Sequence, residues 1–236
     1  MGIVKLVNKL LYPNTYSSEA YVKYIQKSGG GVGKNCYIYE PKSVNIDLFR
    51  PWLLSIGDNV VICAKTTILT HDYSHTVLCT KYGQNIGDAK PVTIGNNVFI
   101  GIGTLIVMGT EIGNNVIIGA QSVVHGKIPD DCVVAGNPAK VICTIEEFYE
   151  KRLLNEEACA VQNVQLAINR IGRKPTIEEM GDAFAWMYMP RDESTLQRYP
   201  QFFNLPGNDH SKFKKDFMES NQKYKSYEEF ISSLNL

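Results

Sequence analysis

The sequence lacks two features that would each decide its class at once. No apolar run reaches the roughly 18 to 20 residues that a helix needs to span a bilayer, so we expect no stable membrane insertion. No charge of one sign dominates either, because 24 Lys and Arg residues balance 24 Asp and Glu residues. This balance gives no indication of nucleic acid or of an anionic membrane surface as a partner.

Cysteine is sparse and scattered along the chain. The six cysteines include no Cys-x-x-Cys pair and none of the spacings that hold zinc. A disulfide framework is unusual in a chain of 236 residues. We therefore expect reduced thiols, a cytoplasmic protein and no bound metal.

The N-terminal segment, MGIVKLVNKLLYPNTY, lacks the long apolar core and the small-residue cleavage site of a signal peptide. Lys5 and Lys9 interrupt its apolar residues, and this pattern predicts a short amphipathic helix. Such a helix would cap the domain or touch a membrane surface, and we favour capping.

The middle of the chain does contain a strong pattern, which is a branched apolar residue at every sixth position. The two runs are Ile56, Ile62 and Ile68, and then Ile94, Ile100, Ile106, Ile112, Ile118 and Val124. Gly follows five of these nine residues. A period of six fits neither a helix face nor an alternating strand, but it fits a three-sided coil with six residues on each side and the apolar side chain pointing inward. We therefore predict a mainly β protein with a β-helix domain over residues 1–143.

The repeat is interrupted between Ile68 and Ile94, where about 20 residues exceed the hexad period. The excess predicts an extruded loop that carries His71 and His75, two of the four histidines. Long insertions in compact domains are usually functional, and a regular coil offers only a flat surface. We expect this loop to form one wall of a pocket.

The stretch from Pro91 to Ile142, and above all its ending IPDDCVVAGNPAKVI, resembles the hexapeptide-repeat acetyltransferases. Within that family it is similar to the galactoside, maltose and xenobiotic acetyltransferases and to the capsule and lipopolysaccharide O-acetyltransferases. The resemblance covers about residues 32–143. It implies a left-handed β-helix, a homotrimer with active sites between adjacent subunits, acetyl-CoA as donor, and a hydroxyl or amine as acceptor.

By this resemblance the catalytic residue is the loop histidine that follows the last hexad before the insertion, which is His71 here. A sugar hydroxyl is a weak nucleophile until its proton is removed, and a neutral imidazole can remove it at neutral pH. His75, four residues later, is the rival candidate.

The resemblance also places the substrates by position. Ile102 and Ala120 would offer backbone groups to the pantetheine arm of CoA, His125 would lie beside the same groove, and Lys140 would approach the nucleotide phosphates. On the acceptor side the sequence departs from the galactoside enzymes. The candidate contacts there are Asn45, Asp47, Arg50, Trp52 and Tyr73, with Trp52 positioned either to stack on a sugar or to pack in the fold.

Residues 144–236 match no family that we can name and are predicted to form a helical extension. Thr144 can cap a helix that ends at Gly172, Thr176 can cap a second one, and FKKDFMESNQKYKSYEEFISSL is a third helical segment. We expect the extension to cover the last rung of the coil or to contact another subunit.

These features predict an acetyl-CoA-dependent O-acetyltransferase that acts on a saccharide-like acceptor, in surface-polysaccharide synthesis or sugar detoxification. Two alternatives remain open on the sequence, namely an N-acetyltransferase acting on a nucleotide-linked amino sugar and a non-catalytic β-helix scaffold. A γ-class carbonic anhydrase would need zinc held by three histidines, and residues 32–143 supply only His71, His75 and His125.

Overall fold

The computed structural model describes residues 2–234, with side chains from residue 6 onward. The chain divides into two compact units, Met1–Phe148 and Tyr149–Leu236. None of the helices in residues 2–234 combines the length and the apolar character that crossing a membrane requires.

The first unit is built from short strands. In chain order these are β1 (Gly31–Val32), β2 (Tyr37–Ile38), β3 (Asn45–Ile46), β4 (Leu54–Ile56), β5 (Val61–Ile62), β6 (Thr67–Ile68), β7 (Val92–Ile94), β8 (Val98–Ile100), β9 (Leu105–Ile106), β10 (Glu111–Ile112), β11 (Val116–Ile118), β12 (Val123–Val124), β13 (Lys127–Ile128), β14 (Cys132–Ala135) and β15 (Lys140–Thr144). They form three sheets, in the orders β1-β4-β7-β10-β13, β15-β14-β11-β8-β5-β2 and β12-β9-β6-β3. Apart from β15, which pairs antiparallel with β14, the neighbours in each sheet are three strands apart in the chain. This is the topology of a three-sided parallel β-helix.

The register of the strands explains the period of six. Ile94 pairs with Ile112, 18 positions later, so one turn of the coil comprises three six-residue sides. Ile56 pairs with Ile94, 38 positions later, so the insertion adds 20 residues to one turn. The inward side chains stack on one another, and Ile68, Ile100, Ile106 and Ile118 are completely buried. This burial removes apolar surface from water along the whole axis.

The first coil is less regular than the later ones. Two 3₁₀ turns, Pro41–Ser43 and Pro51–Leu53, add residues at its corners, and Val32 pairs with Ile56, 24 positions later. Because of the first turn, Ile46 takes the position that stacks on Ile68. The residue after Ile46 therefore lies at the corner from which the insertion leaves.

Two helices precede the coil, α1 (Gly2–Leu11) and α2 (Ser18–Ser28). The predicted N-terminal helix is present as α1, although Met1 lies outside the described residues, and its Leu6 and Leu10 are exposed. The capping role of α1 stays a prediction. A second helix that packs on the coil is α2, which the sequence did not reveal to us. Its Tyr21 and Ile25 belong to the core of the coil, and the Tyr21 hydroxyl donates to the carbonyl of Val44 at 3.3 Å.

A ladder of amides runs along the corner between the first and second sheets. Asn97 Nδ2 donates to Asn115 Oδ1 at 2.8 Å, and Asn115 Nδ2 donates to Asp131 Oδ1 at 2.8 Å. These three residues have φ between 55° and 56°, and Asn and Asp tolerate this left-handed conformation better than most other residues. A second ladder lies one residue earlier, where Asn96 and Asn114 lead to Asp130.

The second unit is helical, as the sequence predicted. Its helices are α4 (Ile145–Ile171), which begins in the first unit, α5 (Ile177–Met180), α6 (Ala185–Tyr188), α7 (Glu193–Arg198), α8 (His210–Glu219) and α9 (Tyr227–Ser233). The remaining helix, α3 (His75–Tyr82), belongs to the insertion. Thr144 and Glu147 form a reciprocal cap at the start of α4. The Thr176 cap is also present, but its helix is short, and the third predicted segment forms two helices, α8 and α9, instead of one.

This unit has its own aromatic core, which includes Tyr188, Phe203, Phe217 and Phe230, all with no exposed surface. The predicted roles of the extension, capping and subunit contact, stay predictions.

Candidate active site

The two ends of the insertion are hydrogen-bonded to each other where they leave the coil, and we call this pair of segments the neck. His71 pairs with Ala89 in an isolated antiparallel bridge, and Lys90 N–H donates to the Thr70 carbonyl at 3.0 Å. The segment between the two sides of the neck is not a plain loop, because it contains helix α3 (His75–Tyr82). The neck holds His71 at the junction of coil and insertion.

At this junction His71 is paired with Asp47. The His71 Nδ1 atom is hydrogen-bonded to Asp47 Oδ2, and the two side chains are only 15% and 8% exposed. Asp47 follows β3 directly, and His71 follows β6 by three residues. They meet because Ile46 and Ile68 are neighbours in the third sheet.

The carboxylate of Asp47 has four donors around it. Burial by itself raises the pKa of Asp47, but hydrogen bonds from the Thr70 hydroxyl, the Phe49 and Thr70 N–H groups and His71 outweigh this effect and lower the pKa to about 2. Asp47 is therefore ionised at neutral pH and acts only as an acceptor.

The ionised state of Asp47 determines which ring nitrogen of the neutral His71 imidazole carries the proton. Because Asp47 can only accept, the Nδ1 atom of His71 carries the proton, and the Nε2 atom keeps its lone pair in the neutral ring. Nε2 is buried and has no partner among the described residues. His71 thus presents a basic nitrogen that is oriented from behind by a carboxylate, which is the arrangement of a general base.

Aromatic rings surround this imidazole. The ring centroids of Phe49 and Tyr73 lie 5.7 and 5.0 Å from that of His71, and the ring of His75 lies 5.8 Å from Tyr73. Phe49 and Tyr73 are 69% and 67% exposed. Their outer surfaces are therefore available to an acceptor beside His71.

The predicted acceptor contacts have separate positions. Tyr73 lies against His71, whereas Asn45 faces outward on β3 and Trp52 is 72% exposed in a 3₁₀ turn. Neither Asn45 nor Trp52 contacts His71 among the described interactions. Arg50 is stacked over Phe49, with 5.1 Å between guanidinium and ring centroid.

We expected Asp47 to contact the acceptor. In the structure its carboxylate binds His71, and its contact with an acceptor stays a prediction. The sequence contained a signal for this role. A strict six-residue period from Val32 would align Val44 with Ile68. If Ile46 is aligned with Ile68 instead, Asp47 falls at the corner where the insertion begins. The extra residues of the 3₁₀ turn concealed that alignment.

The predicted CoA residues lie at two corners of the coil. Ile102 and Ala120 occupy the corner after the second sheet, one turn apart, and the Ile102 carbonyl accepts from Gln121 N–H at 2.8 Å. His125 lies at the corner after the third sheet, which is also the corner of Asp47 and His71.

The outward face of the third sheet separates these corners and includes Leu105 and Val123. Lys140 is exposed at the start of β15, opposite Ala135. The structure therefore places a continuous sheet face between the His71 corner and the predicted pantetheine residues.

In the described part of the chain, no three His, Cys, Asp or Glu side chains are grouped closely enough to hold a metal. The zinc arrangement that a carbonic anhydrase would require of His71, His75 and His125 is accordingly not formed there.

Comparisons with known proteins identify the family of this chain. A family model described as "Bacterial transferase hexapeptide (six repeats)" matches residues 91–126. Protein CapG of Staphylococcus aureus is 41% identical over 135 residues, which are 56% of this chain and 76% of CapG. The chain belongs to the hexapeptide-repeat acetyltransferase family.

Other members of the family share the same region. The galactoside O-acetyltransferase of Escherichia coli (strain K12) is 36% identical over 118 residues, which are 49% of this chain and 54% of that protein. The crystal structure of a maltose O-acetyltransferase from Clostridium difficile 630 is 29% identical, with a TM-score of 0.46, over 60% of this chain and 84% of that one. The match thus spans about three quarters of the length of CapG and about half of the length of the galactoside O-acetyltransferase.

Proposed function

We propose that the chain is an acetyl-CoA-dependent O-acetyltransferase that acetylates a hydroxyl of a saccharide-like acceptor, with His71 as general base. The observation that carries the proposal is the pair of His71 and ionised Asp47, which leaves a basic Nε2 at the junction of coil and insertion. Membership of the family and the name of the galactoside O-acetyltransferase support the choice of donor and acceptor.

The proposed reaction moves one proton twice. The Nε2 atom of His71 takes the proton of the acceptor hydroxyl while the hydroxyl oxygen attacks the acetyl carbonyl carbon. The tetrahedral intermediate then breaks its bond to sulfur, and the imidazolium returns the proton to the CoA thiolate. Asp47 stabilises the imidazolium and keeps Nδ1 protonated throughout. A positioned general base of this kind is worth roughly 10²–10⁴ in rate.

On the donor side we propose that the pantetheine arm follows the outward face of the third sheet. Ile102 and Ala120 border this face at one corner and His125 at the other. Lys140 would meet a phosphate of the nucleotide, because an exposed ammonium group favours such a contact. Phe49, Tyr73 and Trp52 would offer exposed rings to the apolar face of a sugar, and Asn45 would add a polar contact.

We also propose the homotrimer and the left-handed coil of the family. The outward residues of the second sheet support an interface, since they form an apolar column in register: Tyr37, Val61, Phe99, Ile117 and Val133. The equivalent column of the first sheet is polar and includes Ser55, Thr93, Glu111 and Lys127. Light scattering at micromolar concentration is expected to give three times the mass of one chain, and a monomer would contradict the assembly. The cytoplasmic location stays a prediction.

The test is a turnover assay that detects free thiol from acetyl-CoA with a panel of galactosides, amino-sugar nucleotides and simple alcohols. We expect transfer to a saccharide hydroxyl, and His71→Ala should lower kcat by at least about 100-fold with little change in KM for acetyl-CoA. His75→Ala is the matched control and should retain most of the activity.

Three outcomes would change the proposal. Full activity of the His71→Ala variant would end the assignment of the general base. Transfer to amines alone would favour the N-acetyltransferase, and no transfer to any acceptor would favour the scaffold.

A further inference from the structure

Thr70 separates the coil from the catalytic histidine and is completely buried. Its hydroxyl donates to Asp47 Oδ2 at 2.6 Å, and its N–H group donates to the same oxygen at 3.0 Å. His71 Nδ1 binds this oxygen as well. Two consecutive residues thus direct three donors to one carboxylate oxygen.

The other buried hydroxyls of the coil behave differently. Each donates to the backbone carbonyl three residues earlier in the chain, at 2.6 to 2.8 Å. These residues are Thr66, Thr104, Thr110 and Ser122. Such bonds hold the corners of the coil. Thr70, by contrast, directs its hydroxyl to the side chain that orients His71.

We propose that Thr70 is a positioning residue that acts on His71 through Asp47. This inference rests on the proposed function of His71 as general base. The Asp47 carboxylate is held at both oxygens, because Phe49 N–H donates to Oδ1 at 3.0 Å while Thr70 occupies Oδ2. The plane of the carboxylate is therefore fixed, and with it the direction in which it accepts the Nδ1 proton of His71.

Removal of the hydroxyl would leave two donors instead of three on Oδ2 and hold the carboxylate less firmly. The Thr70→Val variant keeps the shape of the side chain without the hydroxyl, and Thr70→Ser keeps the hydroxyl without the methyl group. We expect Thr70→Val to lower kcat about 10-fold. The loss of one hydrogen bond to a charged group typically changes an equilibrium or a rate by about this factor. KM for acetyl-CoA should not change, and Thr70→Ser should restore most of kcat.

Thr66→Val is the matched control. Thr66 is equally buried in the same turn of the coil, but its hydroxyl donates to the Cys63 carbonyl. We expect this variant to lose thermal stability to a similar degree as Thr70→Val while retaining kcat. An equal loss of kcat in both variants would reduce Thr70 to a structural residue.

A double-mutant cycle with Asp47→Asn decides whether Thr70 acts through the carboxylate. If it does, Thr70→Val should cause no further loss of kcat in the Asp47→Asn background. Independent, multiplicative losses would overturn the inference, and so would a Thr70→Ser variant as impaired as Thr70→Val.

One readout does not depend on turnover. In ¹⁵N-histidine NMR spectra of the full chain, Thr70→Val should reduce the fraction of His71 protonated at Nδ1, and Thr66→Val should not. If the wild-type protein transfers no acetyl group to any acceptor, the proposed function fails, while this spectrum still tests the Thr70 contact. An unchanged His71 signal in the Thr70→Val variant would overturn the inference.

Discussion

Between Val92 and Val124 the coil keeps its six-residue period without a break, whereas the preceding part departs from it at three places. Those departures are the two 3₁₀ turns of the first coil and the insertion after Thr70. The hydrogen-bonded pair of Asp47 and His71 lies entirely in the irregular part. In this chain the repeat provides a regular frame, and the proposed chemistry takes place where the repeat is broken.

In the regular part, the backbone groups, the buried hydroxyls and the corner amides are hydrogen-bonded within the coil and are not available for a reaction. Backbone N–H groups bind carbonyls of the next turn, the buried hydroxyls bind carbonyls three residues earlier, and the corner amides bind each other. The carboxylate of Asp47 is available to His71 because an added turn has shifted the register of its strand. The following variants test this division between frame and site.

The largest effect expected in the regular part is on stability. Ile106 is completely buried, so Ile106→Ala should lower the free energy of unfolding by about 2–5 kcal/mol through lost burial and a cavity. The kcat of the folded fraction should remain close to that of the wild type. Thermal unfolding and kinetics below the transition measure both quantities. Leu105→Ala, on the outward side of the same strand, should cost much less, and a loss of kcat without a loss of stability in Ile106→Ala would break the comparison.

Asp47→Asn should affect both stability and activity. The folded-state pKa of Asp47 is lowered from 3.8 to about 2. Its ionisation therefore stabilises the fold above about pH 4, by about 1–3 kcal/mol, and this contribution is lost as the pH falls from about 4 to about 2.

The difference in melting temperature between wild type and Asp47→Asn should accordingly be large at pH 7 and vanish near pH 2. The variant should also lose at least about 10-fold in kcat, because an amide no longer fixes Nδ1 as the protonated nitrogen. A melting-temperature difference that does not depend on pH would show that the charge of Asp47 does not contribute to the stability of the fold.

The smallest effect is expected at Lys140, outside both the regular coil and the His71 corner. If it contacts a phosphate, Lys140→Ala should raise KM for acetyl-CoA, at the low end of the about 1.5–3 kcal/mol of a charge-assisted bond because the side chain is exposed. KM for the acceptor should stay nearly constant. The effect should shrink in high salt and with acetyl-pantetheine as donor. Equal weakening of both donors would assign Lys140 to the fold of its turn.

The same comparison explains what the sequence could reveal. The stack of Ile residues was predictable because one geometric requirement repeats every six positions. The partnership of Asp47 with His71 was not predicted, because it depends on the length of a single 3₁₀ turn that moves Ile46 into register with Ile68.

The helical unit shows the limit of local signals. The cap of Thr176 could be predicted from its own segment. The guanidinium of Arg191, by contrast, donates to the carbonyls of Trp186 and Met189 and to the side chain of Ser220. The partners of Arg191 extend as far as Asn221, 30 positions later in the chain, so no local sequence pattern predicts them.

The amide ladders have a consequence for how such a coil can lengthen in evolution. The side chains of Asn114 and Asn115 accept from the turn before and donate to the next, but those of Asp130 and Asp131 can only accept. Duplication of the 18 residues that contain Asn114 and Asn115 would add a rung that continues both ladders. Duplication of the rung that ends in Asp130 and Asp131 would place carboxylates next to carboxylates without a proton between them. The side-chain donors of both ladders therefore end at Asp130 and Asp131, which have no N–H group in their side chains to offer a further rung.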